Sequence, residues 1–508
     1  MLKKRRFRRY FLQMAIVVAI DAGTTGIRSS AIDESGQIVA FSYREFTQHF
    51  PQPGWVEHDA DEIWATTVET LAELAGQIDG PVAALGITNQ RETVVAWSRS
   101  TSAPRHHAIV WQDRRTASRC EQLTAAGHLP RVRELTGLVL DPYFSGTKAA
   151  WLLSEGGVAT DADLALGTID TWLTWKLTDG AVFATEPSNA SRTLLFDIDA
   201  VAWSPELCDL LGVPIAALPD VVPTSGRLGT TTASCPLGAG IPISGMAGDQ
   251  QAALFGQACF AAGDLKNTYG TGSFVLMNAG TTRPAPVEGL LTSIAWQLGD
   301  QVTYALEGAI FVTGAAVQWL RDGLQIIDDA AELESLALEC DDTGGVVFVP
   351  ALTGLGSPWW DPHARGTIVG ITRGTGRPEL ARAVIESMVQ QTRDVTDAMH
   401  AAAGAAPRVM RVDGGASVMD TMLQLQADHL GVPVHRPVIQ QTTAMGAAFL
   451  AGLAEGVWSS TDDITARWRL DKAFEPDADH DTAPSRALWN AAVGRSRAWE
   501  GATKTASD

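Results

Sequence analysis

The stretch "AIVVAIDAGTTGIRSSAID" at residues 15–33 contains two apolar runs separated by a short turn of glycine and threonine. This pattern predicts a strand, a tight turn and a second strand. A second stretch, "GDLKNTYGTGSFVLMNAG" at residues 263–280, has the same order of strand, Gly-Thr turn and strand. Because the two stretches stand near the starts of two halves of the chain, we interpret them as one duplicated unit.

Strands and helices are predicted to alternate along the rest of the chain. Residues 59–78, 314–327 and 378–403 favour helices, and residues 409–415 favour a strand that ends in a glycine turn. This alternation predicts an α/β fold, and 508 residues are too many for one ordinary core. We divide the chain into a basic extension (1–13), two large domains (14–258 and 259–475) and an acidic, then helical tail (476–508).

Composition excludes several classes of partner and compartment. The net charge is −20, so the field of the protein opposes nucleic acid and anionic membranes, and we expect neither as a partner. The apolar run from Met14 is broken at once by Asp21, which is too short for a signal peptide, and Met14 is an alternative initiator. The five cysteines are widely spaced, which indicates reduced thiols in a cytoplasmic protein and no zinc site.

The two Gly-Thr turns are candidate phosphate sites. Backbone N–H groups and hydroxyls suit phosphate oxygens, and glycine lets the backbone approach them closely. No P-loop sequence occurs, and a Gly-Thr hairpin is more often purely structural. Asp21 ends the strand before the first turn, where it can either start the turn by bonding its own backbone or hold Mg²⁺ beside the phosphates.

A second group of residues could grip a polyol. Arg91 and Glu92 follow an apolar strand, and they form either a surface ion pair or a donor and acceptor for hydroxyls. Trp111 and Tyr143 are either core aromatics or the apolar faces beside that pair. The alternatives stay open on these residues alone.

The stretch "SGMAGDQQAALFG" at residues 244–256 carries a single carboxylate, Asp249, among small and apolar residues. Such a residue can cap the helix that follows. A carboxylate near a substrate hydroxyl can also accept its proton during attack on a phosphoryl group. The two roles are compatible.

A dozen further strings together resemble the glycerol kinases of the FGGY family of carbohydrate kinases. They follow the order of the family from about residue 15 to residue 455 and include "PGWVEHDADEIW" (53–64), "GITNQRET" (86–93), "AIVWQDRRT" (108–116), "DPYFSGTK" (141–148), "IPISGMAGDQQAALFGQ" (241–257), "ALEGAIFVTGAAVQWLRD" (305–322) and "RVDGGA" (411–416). The resemblance implies two related RNase H/actin-like ATPase domains with an active-site cleft between them. It also implies ATP-dependent phosphorylation of a primary hydroxyl of glycerol.

The resemblance implies the following roles. The polyol contacts are Arg91, Glu92, Trp111, Tyr143, Asp249, Gln250 and Phe274, and Asp249 is also the general base. The acids around Mg²⁺ are Asp21 and Asp249. The nucleotide contacts are Thr24, Thr25 and Arg28 at the first turn, Gly270, Thr271 and Gly272 at the second turn, and Gly314, Gln318, Gly415 and Met419.

Some positions depart from the family pattern. Ala22, Gly26 and Ile27 stand where glutamine and two serines are usual, and Met419 replaces an asparagine near the adenine. The loop at residues 231–242 lacks the Gly-Arg element associated with fructose bisphosphate inhibition, so we predict that this inhibitor has no effect.

The remaining alternatives for the function are a kinase for another polyol or ketose, such as erythritol, dihydroxyacetone or xylulose, and a non-catalytic sugar sensor. We expect a homo-oligomer, either a dimer or a tetramer.

Overall fold

The computed structural model describes residues 15–404 and 406–499. The basic extension predicted at residues 1–13 and the end of the predicted tail lie outside the described residues. None of the helices in these two segments combines the length and the apolar character needed to cross a membrane.

The strands are short and are distributed over both halves of the chain. In order, they are β1 Ile16–Ala22, β2 Gly26–Asp33, β3 Ile38–Glu45, β4 Glu57–His58, β5 Val82–Asn89, β6 Val95–Ser98, β7 Ala108–Ile109, β8 Leu164–Gly167, β9 Ala184–Thr185, β10 Phe196–Asp197, β11 Ala202–Trp203, β12 Asp220–Val221, β13 Ser225–Thr230, β14 Pro242–Gly248, β15 Asp264–Tyr269, β16 Ser273–Gly280, β17 Leu291–Leu298, β18 Gln301–Ile310, β19 Val347–Val349, β20 Thr367–Val369, β21 Val409–Gly414, β22 Val434–Pro437 and β23 Leu470–Phe474.

The helices connect and cover these strands. In order, they are α1 Ala60–Ala75, α2 Ala117–Ala125, α3 Leu129–Thr136, α4 Ser145–Ser154, α5 Ile169–Leu177, α6 Pro187–Ala190, α7 Pro205–Leu211, α8 Asp249–Gly256, α9 Gly314–Gln318, α10 Glu332–Ala337, α11 Arg377–Ala403, α12 Asp420–Leu430, α13 Thr442–Ala454, α14 Thr461–Arg467 and α15 Ala483–Ser496.

One mixed sheet runs through the part of the chain that the structure describes, in the order β23-β22-β21-β15-β16-β18-β17-β13-β14-β5-β1-β2-β3. In the first half, the antiparallel strands β3-β2-β1 are followed by the parallel strands β5 and β14 and then by antiparallel β13. The second half repeats this order as β18-β16-β15, then β21 and β22, then β23. The repeat supports the duplicated unit predicted from the two Gly-Thr stretches.

Helices cover the middle strands on both faces, which explains why β1, β5 and β14 are almost continuously buried. The helix α13 packs against β1, β5, β14 and α8, although its sequence lies in the second predicted domain. The approach is close, because a Cβ on Gly446 would stand 1.8 Å from the backbone oxygen of Ala252. The predicted division at residue 258 therefore separates segments that share one hydrophobic cluster.

Two local predictions can be compared in detail with the structure. The helix predicted at residues 314–327 is shorter, because α9 ends at Gln318 and continues only as a π-helix over Trp319–Gly323. The predicted tail contains α15, whose buried Trp489 donates to Asp394 Oδ2 at 2.8 Å.

Candidate active site

The first Gly-Thr turn joins β1 to β2, and the partly exposed Asp21 is the last residue but one of β1. The turn is closed by a hydrogen bond from Gly23 N to Gly26 O at 3.0 Å. Burial and the nearby Asp249 carboxylate raise the pKa of Asp21 to about 7, while Arg28, its partner across the β1–β2 ladder, opposes the shift. Asp21 is therefore more than a turn-forming residue, because it lies within electrostatic reach of the second predicted acid.

Asp249 is the first residue of α8, directly after β14. The N-cap position belongs to Gly248, so the expected capping role is wrong in detail, although Asp249 Oδ1 does accept from the N–H of Gln250 at 2.7 Å. Its side chain keeps 29% exposure, and Arg91 Nε lies 3.3 Å from Oδ1. Burial raises the pKa of Asp249, and Arg91 and Lys266 limit the rise. The residue is thus a partly exposed carboxylate with enhanced basicity.

Arg91 is held at the floor of the site by residues from both halves of the chain. Its Nη1 donates to Glu307 Oε2 at 2.5 Å, and its Nη2 donates to Glu307 Oε1 at 3.1 Å. Its contacts toward the half-exposed residues Tyr143 and Asp249 are longer, at 3.3 Å each. A substrate hydroxyl can replace these longer contacts, whereas the pair with Glu307 fixes the guanidinium.

Arg91 and Glu92 are not a surface pair, because their side chains are only 2% and 1% exposed. Arg192 Nε donates to Glu92 Oε1 at 2.6 Å, and Arg192 Nη2 donates to Glu307 Oε1 at 3.1 Å. Burial favours the neutral form of Glu307, but Arg192 and Arg91 outweigh it and lower its pKa to about 2. Two arginines and two glutamates therefore form one buried, compensated charge cluster.

The predicted aromatic residues line one side of this cluster. Trp111 and Tyr143 are half-buried rather than core residues, and their rings form an edge-to-face pair with centroids 5.6 Å apart. The ring of Phe274 on β16 is also half-buried, and its centroid lies 6.0 Å from the guanidinium carbon of Arg91. These apolar faces suit the carbon chain of a small polyol.

Gln250 reaches the second half of the chain through Lys266 on β15, which is fully buried. Lys266 Nζ donates to Gln250 Oε1 and to Thr268 Oγ1. Burial lowers the pKa of Lys266 to about 8, and Asp413 and Asp249 resist the shift. All seven predicted polyol residues therefore belong to one connected cluster.

The second Gly-Thr turn joins β15 to β16, and the start of α9 closes over it. Gly314 N donates to Gly270 O at 3.1 Å, and Thr313 N donates to Thr271 O at 3.0 Å. The next strand, β21, pairs with β15 and brings Gly414 opposite Tyr269, so Gly415 also lies beside this turn.

The remaining predicted nucleotide residues are less closely joined to the turns. Gln318 is exposed at the end of α9, whereas the Met419 side chain is 7% exposed and packs in the core of the second half. Arg28 stands across β1–β2 from Asp21, and its guanidinium lies over the rings of Phe41 and Tyr43. Nucleotide contacts of these residues stay predictions.

A divalent cation fits the acids at the first turn. In the two described segments, no group of three or more His, Cys, Asp and Glu residues could hold a metal. Mg²⁺ commonly takes only one or two carboxylates and completes its shell with water and phosphate oxygens. The raised pKa of Asp21, caused by burial and by Asp249, shows that Arg28 does not fully compensate the negative charge at this position.

Comparisons with known proteins agree with this geometry. The N-terminal domain model of the FGGY family of carbohydrate kinases matches residues 16–256, and the C-terminal domain model matches residues 265–455. This chain belongs to the FGGY family of carbohydrate kinases. The sequence resemblance and the predicted two-part α/β fold are thereby confirmed.

Individual FGGY relatives are similar over almost their whole length. A glycerol kinase of Carboxydothermus hydrogenoformans is 52% identical and covers 95% of this chain and 98% of its own. A glycerol kinase of Dechloromonas aromatica is 53% identical over 96% of this chain and 98% of its own. The crystal structure of Plasmodium falciparum glycerol kinase with ADP has a TM-score of 0.90 and 34% identity, and it covers 95% of this chain and 98% of that one.

Sequence reasoning missed three charged residues of the site: Arg192, Lys266 and Glu307. Glu307 lies in the family string at residues 305–322 and is a lone acid in an apolar strand, just as Asp249 is the lone acid of the stretch at residues 244–256. A lone acid in an apolar strand is a signal that sequence reasoning could have used to find Glu307. For Arg192 and Lys266, the informative fact is complete burial, which becomes visible only in the fold.

Proposed function

We propose that the protein transfers the γ-phosphoryl group of ATP to a primary hydroxyl of glycerol and forms sn-glycerol 3-phosphate and ADP. The observation that carries the proposal is the half-exposed Asp249 carboxylate beside the fixed guanidinium of Arg91, next to the aromatic wall. Relatives that share about half of its residues over nearly the whole chain are named glycerol kinases.

Glycerol offers three hydroxyls on a short carbon chain. One hydroxyl oxygen can enter between Asp249 and Arg91 Nε, and another can enter between Arg91 Nη2 and the Tyr143 hydroxyl. Gln250 adds a polar contact, and Trp111 and Phe274 cover the carbons. This arrangement orients one terminal hydroxyl toward the acid pair.

In the transfer step, Asp249 accepts the proton of the attacking hydroxyl. The hydroxyl oxygen forms a bond to the γ-phosphorus as the bond from that phosphorus to the bridging oxygen breaks, and ADP leaves with the electron pair. The proton then passes from Asp249 to solvent. Burial raises the pKa of Asp249, which makes the carboxylate a better proton acceptor.

The nucleotide would bind to both Gly-Thr turns. Thr24, Thr25 and Arg28 would contact phosphates at the first turn, and Gly270, Thr271 and Gly272 at the second, with Gly314, Gln318, Gly415 and Met419 around the rest of the nucleotide. Asp21 and Asp249 would hold Mg²⁺, which when bound neutralises charge on the phosphates. The protein residues supply position and exclude water.

The test measures ADP release with glycerol, dihydroxyacetone, erythritol, xylulose and ribulose under identical conditions, with an assay lacking any acceptor as the control. We expect glycerol to give the highest kcat/KM. If another polyol or ketose is best, the substrate assignment is wrong and the kinase assignment survives. Release that never exceeds the acceptor-free rate would instead favour a non-catalytic sugar sensor.

Three further expectations stay predictions. They are a homo-oligomeric state, a cytoplasmic location and insensitivity to fructose bisphosphate. A dose-dependent inhibition curve with that sugar phosphate would contradict the last of them.

A further inference from the structure

A buried hydrogen-bond network connects the aromatic wall to the first phosphate turn. The indole Nε1 of Trp111 donates to Thr24 Oγ1 at 2.9 Å, and the backbone N–H of Trp111 donates to Thr93 Oγ1 at 3.3 Å. A residue that faces the polyol is therefore attached directly to a residue of the turn, and it is also attached to a buried threonine that faces neither ligand.

From Thr93, the network returns to the same turn. The hydroxyl of Thr93 donates to Gln90 Oε1 at 2.9 Å, and Gln90 Nε2 donates to Gly23 O at 3.1 Å. The same amide nitrogen lies 3.3 Å from Nδ1 of His58, which is fully buried. Gln90 precedes Arg91 in the chain, so the network and the polyol site share one segment of backbone.

A second branch runs through Gln48. Its Nε2 donates to Thr24 O at 2.9 Å, so its Oε1 is the acceptor for His58 Nε2 at 2.7 Å. The His58 ring then carries its proton on Nε2, and Nδ1 accepts from Gln90. Burial, together with His49, lowers the pKa of His58 to about 4, so the ring is neutral at physiological pH. The side-chain donors of Gln48, His58, Gln90, Thr93 and Trp111 each meet an acceptor in this network.

The directions of these bonds determine where the turn presents its donors. In a trans peptide, the C=O and the following N–H point in opposite directions. Because the carbonyls of Gly23 and Thr24 are held toward Gln90 and Gln48, the N–H groups of Thr24 and Thr25 point away from the network. Satisfied buried networks of this kind resist rearrangement.

We propose that Gln48, His58, Gln90 and Thr93 are positioning residues that aim the first turn at the nucleotide phosphates and fix it relative to Trp111. They act through the turn and through the aromatic wall, and none of them reacts. The inference rests on the proposed function. It explains how the attacking hydroxyl of the polyol and the transferred phosphoryl group are held in a fixed relative position.

The test compares Thr93→Val, which removes the hydroxyl, with Thr93→Ser, which keeps it. The matched control is Thr171→Val, because the Thr171 hydroxyl is buried in α5 without a hydrogen-bond partner. We expect Thr93→Val to lower kcat by about tenfold, since it leaves buried polar groups unpaired, while KM for glycerol changes far less. Thr93→Ser should restore turnover, and Thr171→Val should match the wild type.

A second variant and a binding measurement separate positioning from folding. Gln48→Leu affects a half-buried residue and releases Thr24 O, so it should weaken binding of a non-hydrolysable ATP analogue, measured by calorimetry. Combining it with Thr93→Val should give less than the product of the single effects on kcat, because both act through one turn.

Two results would overturn the inference: wild-type kcat and analogue affinity in both variants, or a fall in melting temperature with turnover unchanged. A wild-type protein that binds the analogue but does not phosphorylate glycerol would refute the proposed function instead. The analogue affinities of the variants would then still test the network.

Discussion

The turns at Gly23–Gly26 and Gly270–Gly272 occupy the same place in two halves with the same strand order, yet they are held by different means. Side chains of Gln48, Gln90 and Trp111 hold the first turn. The second turn is held mainly by backbone, because the N–H groups at the start of α9 donate to the carbonyls of Gly270 and Thr271, and the Thr313 hydroxyl adds one bond to Gly270 O at 3.2 Å. In both turns, the tied carbonyls leave the following N–H groups directed elsewhere.

The turns also differ in charge. Asp21 precedes the first turn by two residues, whereas Thr268 has that position before the second turn. The two copies of the Gly-Thr turn therefore have different roles. The first turn carries the acid and is adjusted by side chains, and the second turn is an uncharged, close-packed backbone support.

The sharpest test of this division is Asp249→Asn, which removes the proton acceptor beside the first turn. We expect kcat to fall by about a thousandfold, because general base catalysis has this magnitude. Binding of the ATP analogue should persist, since the second turn is untouched. Steady-state kinetics and calorimetry measure the two effects.

The matched control for Asp249→Asn is Asp170→Asn, which alters a buried acid that accepts from Thr168 and Thr185. It should keep normal kcat per folded molecule. Turnover of Asp249→Asn within tenfold of the wild type would mean that Asp249 is not the base.

The second test concerns Glu307, the residue of the second half of the chain that accepts two hydrogen bonds from Arg91 of the first half. Glu307→Gln leaves Glu92 as the charged partner of Arg192, and it leaves Arg91 with Glu92 and the partly exposed Asp249. Breaking a buried ion cluster costs about 3 kcal/mol. We expect a lower melting temperature and a rise of about tenfold in KM for glycerol, because Arg91 loses its fixed orientation.

Glu386→Gln is the control for Glu307→Gln, because Glu386 pairs with Arg382 along one helix and that pair is partly exposed. Its removal should cost less than about 1 kcal/mol. Equal stability losses for the two variants would contradict the role given to the buried cluster.

The third test examines the backbone support of the second turn. A Cβ at Gly272 would lie 2.3 Å from Ile310 O, whereas a Cβ at Gly270 would meet nothing closer than Gly272 O at 3.4 Å. Gly272→Ala should therefore weaken binding of the ATP analogue by about tenfold, as expected for a forced backbone shift. Gly270→Ala should bind it nearly as well as the wild type. Equal affinities would show that close packing does not shape this turn.

The smallest expected effect is the pH dependence caused by Asp21. Its folded pKa is raised from 3.8 to about 7 by burial and by Asp249, so the folded state holds a proton more tightly than the unfolded state. Its contribution to stability is complete below about pH 4 and is lost as the pH rises through about 7. In the metal-free protein, Asp21→Asn should therefore gain more melting temperature at pH 8 than at pH 5.

The control for this titration is Thr88→Val, which changes the residue paired with Asp21 on β5 and introduces no ionisable group. Its difference from the wild type should not vary with pH. A difference for Asp21→Asn that is equally constant would rule out the raised pKa.

Much of this molecule could be predicted from sequence, because its strongest signals are local. The Gly-Thr turns, the acid near the end of β1 and the acid directly after β14 each stand at the end of an apolar strand. The carboxyl ends of parallel strands meet at one edge of a sheet. The site residues that were missed, Glu307 and Arg192, act through partners far along the chain. Glu307 carries a local signal as the lone acid of an apolar strand, but the significance of Arg192 depends on burial and pairing that no local pattern carries.

The fold predictions were weakest where packing overrides sequence order. The stretch at residues 314–327 has helical periodicity, but α9 ends early and closes over the second turn. The boundary at residue 258 stays a prediction, and α13, which follows it in the chain, packs on β1, β5 and β14, which precede it. Sequence similarity between two halves indicates their origin and does not indicate which helix covers which sheet.

That crossing of α13 has a consequence for how the polypeptide matures. During synthesis, residues 15–258 emerge from the ribosome before the helix that covers one face of their sheet. The apolar surface of β1, β5 and α8 therefore stays uncovered until residues 442–454 have been synthesised. We therefore expect that a chain cut between the halves gives fragments that aggregate when made separately and become soluble when they are co-expressed.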